Sequence, residues 1–85
     1  MAVYAVERHL PGATMENLAD AQGSAIRSAA ATSGVRYIRS TWFPTDERCV
    51  CLFEGPNEQA IMDVNDEAGL PYDEVVPALD LTPAK

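Results

Sequence analysis

Both cysteines of the chain lie two positions apart in the stretch RCVCLFEGP, residues 48–56. Cys49 and Cys51 share one side of a strand with Phe53, with α-carbons roughly 6.5–7 Å apart. That separation is at or past the upper limit for a disulfide. A C-x-C pair can also supply soft metal ligands, but a zinc site asks for two ligand pairs at set spacings. Here there is one pair and a single histidine, His9. The third reading is that the cysteines serve as small buried hydrophobes.

Glu7 and His9 share a face of the first strand, beside the strand that carries the cysteines. Either could approach Cys49 or Cys51 across the ladder. A carboxylate, an imidazole and a thiolate together suit a borderline divalent ion such as nickel or zinc. An enclosed Glu7 would instead have a raised pKa and could transfer protons. The plain alternatives are a Glu7 ion pair with Arg36 or Arg39 and a solvated His9. Gln22 and Asn65 lie on or beside apolar helical stripes. Buried amides need partners, so both are candidates to line a pocket between helices and sheet, or else mark stripe boundaries that face water. Tyr37 and Trp42 read as core or interface residues. Asp63, Asp66, Glu67, Asp73 and Glu74 form an acidic patch without calcium-loop spacing, which reads as a solvated face. No dinucleotide fingerprint, P-loop, nucleophile elbow or zinc-helix motif is present.

The elements that must position these residues follow from periodicity. AVYAVERHL (2–10) alternates as a strand, with Val3, Ala5, Glu7 and His9 on one face and Ala2, Tyr4, Val6, Arg8 and Leu10 on the other. Pro11-Gly12 ends it. Thr14 is an N-cap, and Met15, Leu18, Ala25, Ile26 and Ala29 follow a helical stripe up to Gly34. Residues 35–43 and 48–54 form a hairpin around the turn Pro44-Thr45-Asp46-Glu47. Asn57 caps a second helix with Ala60, Ile61, Val64 and Ala68 on its apolar face. Residues 73–81 are the last strand, where Pro77 demands an edge or a bulge. The order β-α-β-β-α-β is the ferredoxin-like α+β arrangement, an antiparallel sheet with two helices on one face, in a single domain over residues 1–85.

A chain of 85 residues is near the lower limit for a self-sufficient core. One sheet face has nothing left to cover it, so a homodimer through the open sheet face is expected. Strand two supports this, with Val35, Tyr37, Thr41 and Phe43 on one side and Ile38 and Trp42 on the other. The net charge of −7 comes with scattered arginines and no basic stripe, which argues against nucleic acid and an anionic membrane surface. No apolar run approaches a membrane span, and the first residues lack the pattern of a signal peptide, so the expected compartment is cytoplasmic.

YAVERHLPG, GVRYIRSTW, CLFEGPNEQAI and AGLPYDEVVPALDL, taken in order, resemble a bacterial family of small domains of unknown function that includes a nickel-binding branch. The resemblance covers nearly the whole chain and implies a ferredoxin-like, dimeric α+β barrel. Glu7-Arg8, Leu10-Pro11-Gly12, Ser40, Cys51 and Gly69-Leu70-Pro71 sit on the family pattern. Cys49 does not. The resemblance further implies a histidine at or next to Val64-Asn65, where this chain has none. Glu7, His9 and Cys51 remain as ligands for nickel or another divalent metal.

Three functions are therefore in view. The first is a small-ligand or metal-binding dimer whose pocket is lined by Glu7, Gln22, Cys51 and Asn65. The second is a cofactor-free monooxygenase- or isomerase-like enzyme with Glu7 as general acid/base. The third is a structural or regulatory interaction domain without a pocket.

Overall fold

The computed structural model describes residues 1–81. The order is β1 (Ala2–His9), α1 (Met15–Ala30), β2 (Arg36–Phe43), β3 (Arg48–Gly55), α2 (Glu58–Glu67) and β4 (Glu74–Ala78). The sheet runs β2-β3-β1-β4, and every neighbouring pair is antiparallel. This is the expected ferredoxin-like α+β arrangement. Pro77 lies in β4, an edge strand, where its missing N–H leaves no ladder bond unmade on the outer side.

Both helices start on capping side chains. Thr14 Oγ1 accepts from the Asn17 amide, and Asn17 Oδ1 accepts from the Thr14 amide, closing a reciprocal cap. Asn57 Oδ1 accepts from the Ala60 amide in the same way. α1 ends at Ala30, capped by Ala31, four residues earlier than Gly34. Gly34, at φ +84°, instead turns the chain into β2, a conformation that L side chains resist.

The core forms where the helices cover one sheet face. Val6, Phe53 and Ile61 are wholly buried there, with Val64, Ala25, Ala29, Cys49, Cys51 and Val75 around them. The buried face of α1 is narrower than its sequence stripe, consisting of Ala25, Ser28 and Ala29. These small residues let α1 approach α2 closely enough for Ser28 Oγ to donate to the Val64 carbonyl at 2.8 Å. Ile26, expected in the stripe, is exposed.

Strand two departs from simple alternation. Its register slips between Tyr37 and Arg39, leaving Ile38 as an extra residue. The bulge flips the phase of the strand. Tyr37 is opposite Phe53, Ser40 opposite Cys51 and Trp42 opposite Cys49, so all three belong to the helix-covered face. The expectation that Tyr37 and Trp42 take opposite faces is thereby corrected. Arg39, Thr41 and Phe43 face the open side with Val50 and Leu52.

Candidate functional site

The register sets Trp42, Cys49 and Arg8 in one row across β2, β3 and β1, and Ser40, Cys51 and Val6 in the next. Opposite residues share a face and lie close together. Trp42, Cys49, Arg8, Ser40 and Cys51 from these rows are the floor of a cavity of about 260 Å³ under α1. Its walls are Leu10, Met15, Leu18, Ala19, Ala21 and Leu70, with Gln22 beside them. The lining is apolar except for Arg8, Gln22, Ser40 and the two cysteines.

Arg8 is 2% exposed. Its Nη1 donates to the Pro71 carbonyl at 3.0 Å and its Nη2 to Asn65 Oδ1 at 2.7 Å. Asn65 is itself wholly buried, and its Nδ2 donates to the Ile61 carbonyl at 2.9 Å. Both acceptors of Arg8 are neutral. Among the described residues no carboxylate is within salt-bridge distance of it. A buried cation without a carboxylate requires another source of negative charge.

Cys51 supplies one. Ser40 Oγ donates to Cys51 Sγ at 3.0 Å. With that proton committed, Tyr37 OH donates to Ser40 Oγ at 2.7 Å, and Gln22 Nε2 donates to Tyr37 OH at 2.9 Å. The donors all run toward the sulfur, and such chains polarise one another. Cys49 Sγ lies 3.8 Å away, within hydrogen-bonding reach of Cys51 Sγ. The Cys51 pKa falls from 9.0 to about 6. The Cys49 hydrogen bond contributes most to this; the nearby Arg8 charge and the bond from Ser40 add to it, against an opposing push from burial. Cys49 moves the other way, because its proton is held by Cys51, it is buried, and the Cys51 charge opposes a second one. The opposite shifts make Cys51 the more readily ionised sulfur of the pair and Cys49 the one that keeps its proton.

Glu7 and His9 do not join this site. Glu7 is opposite Val50 and Arg8 is opposite Cys49, so Glu7 and His9 are on the open sheet face while both cysteines are on the other. The approach of Glu7 or His9 to Cys51 across the ladder is therefore corrected by the register. Glu7 Oε1 instead accepts from Arg48 at 3.1 Å, a different arginine from the Arg36 or Arg39 of the sequence reading. His9 Nδ1 lies 2.6 Å from Asp73 Oδ2, exposed. Gln22 lines the cavity from its exposed rim. Asn65 lies behind Arg8, with its amide already occupied, and is not among the lining residues. Arg8 is a site residue that its place on β1 and on the family pattern did not single out. Its signal was in phase: it alternates with Val6, on the buried face of β1.

Two outcomes follow. Replacing Asn65 with leucine leaves the Arg8 guanidinium short of an acceptor and should cost about 1.5–3 kcal/mol. The double variant Arg8→Met/Asn65→Leu should recover part of that loss, as read from urea denaturation. Alkylation of Cys51 by iodoacetamide should hold nearly steady from pH 9 to 7 and fall as pH drops through about 6. Because the folded pKa lies below the unfolded one, the thiolate's contribution to stability is lost as pH falls from 9 to 6. The stability gap between the parent chain and Cys51→Ser should shrink over the same window.

A family profile described as "Nickel responsive protein SCO4226-like" matches residues 4–77. Among solved structures, the crystal structure of SCO4226 from Streptomyces coelicolor A3(2) superposes with a TM-score of 0.79 at 24% sequence identity. The match covers 96% of this chain and 100% of that one. At that identity the likeness is one of fold. Comparison with curated proteins returns no match.

Proposed function

The chain belongs to the SCO4226-like family of nickel responsive proteins, and from that premise we propose that its cavity binds a small organic molecule with an apolar body and one oxygen acceptor. The observation that carries this reading is the division of the cavity into apolar walls and a polar floor. Leu10, Leu18, Trp42 and Leu70 would hold the body. Arg8 uses two of its five N–H donors on Asn65 and Pro71, and its remaining donors are available to an acceptor. The volume, about 260 Å³, is just below the range of about 300–1,000 Å³ typical of drug-sized ligands, which favours a small metabolite.

The residues of the cavity do not fit a nickel ion. Among the described residues no three of His, Cys, Asp and Glu converge. The two cysteines stand beside Arg8, and a divalent cation there would face a fixed positive charge in a low-dielectric setting. Glu7, His9 and Cys51 are divided between the two sheet faces. The Glu7 general acid/base reading finds no support in the cavity either, since Glu7 is outside it and paired with Arg48.

NMR titration of tag-free protein tests both statements. Acetophenone should give saturable shifts at Ser40, Trp42 and Leu70 and bind about ten-fold tighter than ethylbenzene, which lacks the acceptor. A Leu18→Trp variant, with the cavity filled, should lose them. Shifts that survive in Leu18→Trp would remove the cavity from the proposal. Stoichiometric nickel uptake that disappears in Cys51→Ser would restore the metal reading.

We also propose a homodimer through the open sheet face. Support comes from the apolar centre of that face, formed by Val3, Ala5, Val50, Leu52 and Val76. Leu79 and Leu81, 86% and 84% exposed, flank Asp80, whose carboxylate meets Arg39 of the far edge strand. That contact draws the segment after β4 over the open face, with two bare leucines beside it. Leu52→Glu should shift the chain to monomer in light scattering while leaving its circular dichroism unchanged. A parent chain that is monomeric at high concentration would end this proposal.

A further inference from the structure

The floor of the cavity holds more than a binding site requires. A ligand site needs donors, but not a sulfur at the end of a chain of hydroxyl and amide donors, nor a second sulfur beside it. Cys51 receives Ser40 Oγ at 3.0 Å, itself backed by Tyr37 and Gln22, and has Cys49 Sγ at 3.8 Å. Neither cysteine is exposed to bulk solvent, yet both line the cavity.

We propose that Cys51 and Cys49 form a peroxide-reducing dithiol site whose substrate is a small organic hydroperoxide. This rests on the reading of the cavity as a site for a small apolar molecule with one polar end. The hydroperoxide places its apolar body against Leu10, Leu18 and Leu70 and its O–O group at the floor.

The chemistry closes on groups present there. The Cys51 thiolate attacks the terminal peroxide oxygen. An S–O bond forms, the O–O bond breaks, and Cys51 becomes a sulfenic acid. The leaving alkoxide takes a proton from solvent water and departs as the alcohol; Arg8, adjacent to the sulfur, is placed to stabilise its developing charge. Cys49 then attacks the Cys51 sulfur. An S–S bond forms, the S–O bond breaks, and hydroxide leaves as water with the Cys49 proton. Two thiols supply the two electrons that the peroxide accepts. The sulfurs must close from 3.8 Å to about 2 Å, which requires a local adjustment of β3. An external dithiol restores the pair, by exchange, to two thiols.

The division of labour follows from the same geometry. Cys51 is the attacking thiolate, because the donor chain through Ser40 ends on it and its pKa is lowered to about 6. Cys49 keeps its proton until the second step. Tyr37 acts through Ser40 and is a positioning residue.

The test is intact-mass analysis of reduced, tag-free protein after addition of cumene hydroperoxide or hydrogen peroxide. The parent chain should lose two hydrogens and regain them with dithiothreitol. Cys49→Ser should instead gain one oxygen that dimedone traps. Cys51→Ser should react at least about ten-fold more slowly. Tyr37→Phe, whose fold is checked by circular dichroism, should react several-fold more slowly and show a higher pKa in iodoacetamide profiles, which a merely structural loss would not produce. Cumene hydroperoxide should outpace hydrogen peroxide, and acetophenone should slow it. A parent chain that is oxidised no faster than Cys51→Ser would overturn the dithiol proposal while leaving acetophenone binding intact. Equal rates with both peroxides, unaffected by acetophenone, would overturn the assignment of an organic hydroperoxide.

Discussion

A guanidinium held almost out of water must be solvated by the protein itself, and in this chain that demand organises everything around Arg8. The cation takes two neutral acceptors, the Pro71 carbonyl and the Asn65 side chain. Each ties a different segment to the central strand. Pro71 belongs to the connection between α2 and β4, and Asn65 to the buried side of α2. Asn65 donates onward to Ile61 and so cannot turn away without leaving two buried groups unpaired. The helix, the loop that follows it and the sheet are locked together by one side chain.

The same cation accounts for the state of the cysteines. Neutral acceptors orient a guanidinium but do not balance its charge. A thiolate beside it does so in part, and the hydrogen bonds from Cys49 and Ser40 complete its stabilisation. Burial alone would push both thiols up. The opposite shifts of Cys51 and Cys49 therefore come from arrangement, because Ser40 bonds Cys51 alone and the two sulfurs share one proton between them. One can hold a charge only if the other stays protonated.

Fold and chemistry are linked through the bulge in β2. Without the extra residue at Ile38, Ser40 and Trp42 would point to the open face, and neither the donor to Cys51 nor the aromatic wall of the cavity would exist. A bulge beside a site that re-aims side chains is a familiar use of this irregularity. The narrow face of α1 complements it. Ala25, Ser28 and Ala29 pack that half of the helix tightly, and the half that carries Met15, Leu18 and Gln22 stands away from the sheet. The cavity lies under the looser half.

The amino-acid sequence by itself determined the element order, the two caps, the choice of an edge or a bulge for Pro77 and the alternation that divides β1 into two faces. These are local matters of period, turn chemistry and backbone geometry, legible over a few neighbouring residues. It also placed Cys51 and Gln22, which do line the cavity. The tertiary structure alone decided which residues meet. Register put Glu7 opposite Val50 and left Cys51 on the other face, a distinction of one residue that reverses every contact. The bulge set Tyr37 and Trp42 together, and no local signal marks where a strand will slip. The role of Arg8 lay hidden because an arginine in a strand ordinarily points to water. Only the convergence of Asn65, Pro71 and Cys51, distant in sequence, creates the low-dielectric pocket in which its charge governs the chemistry.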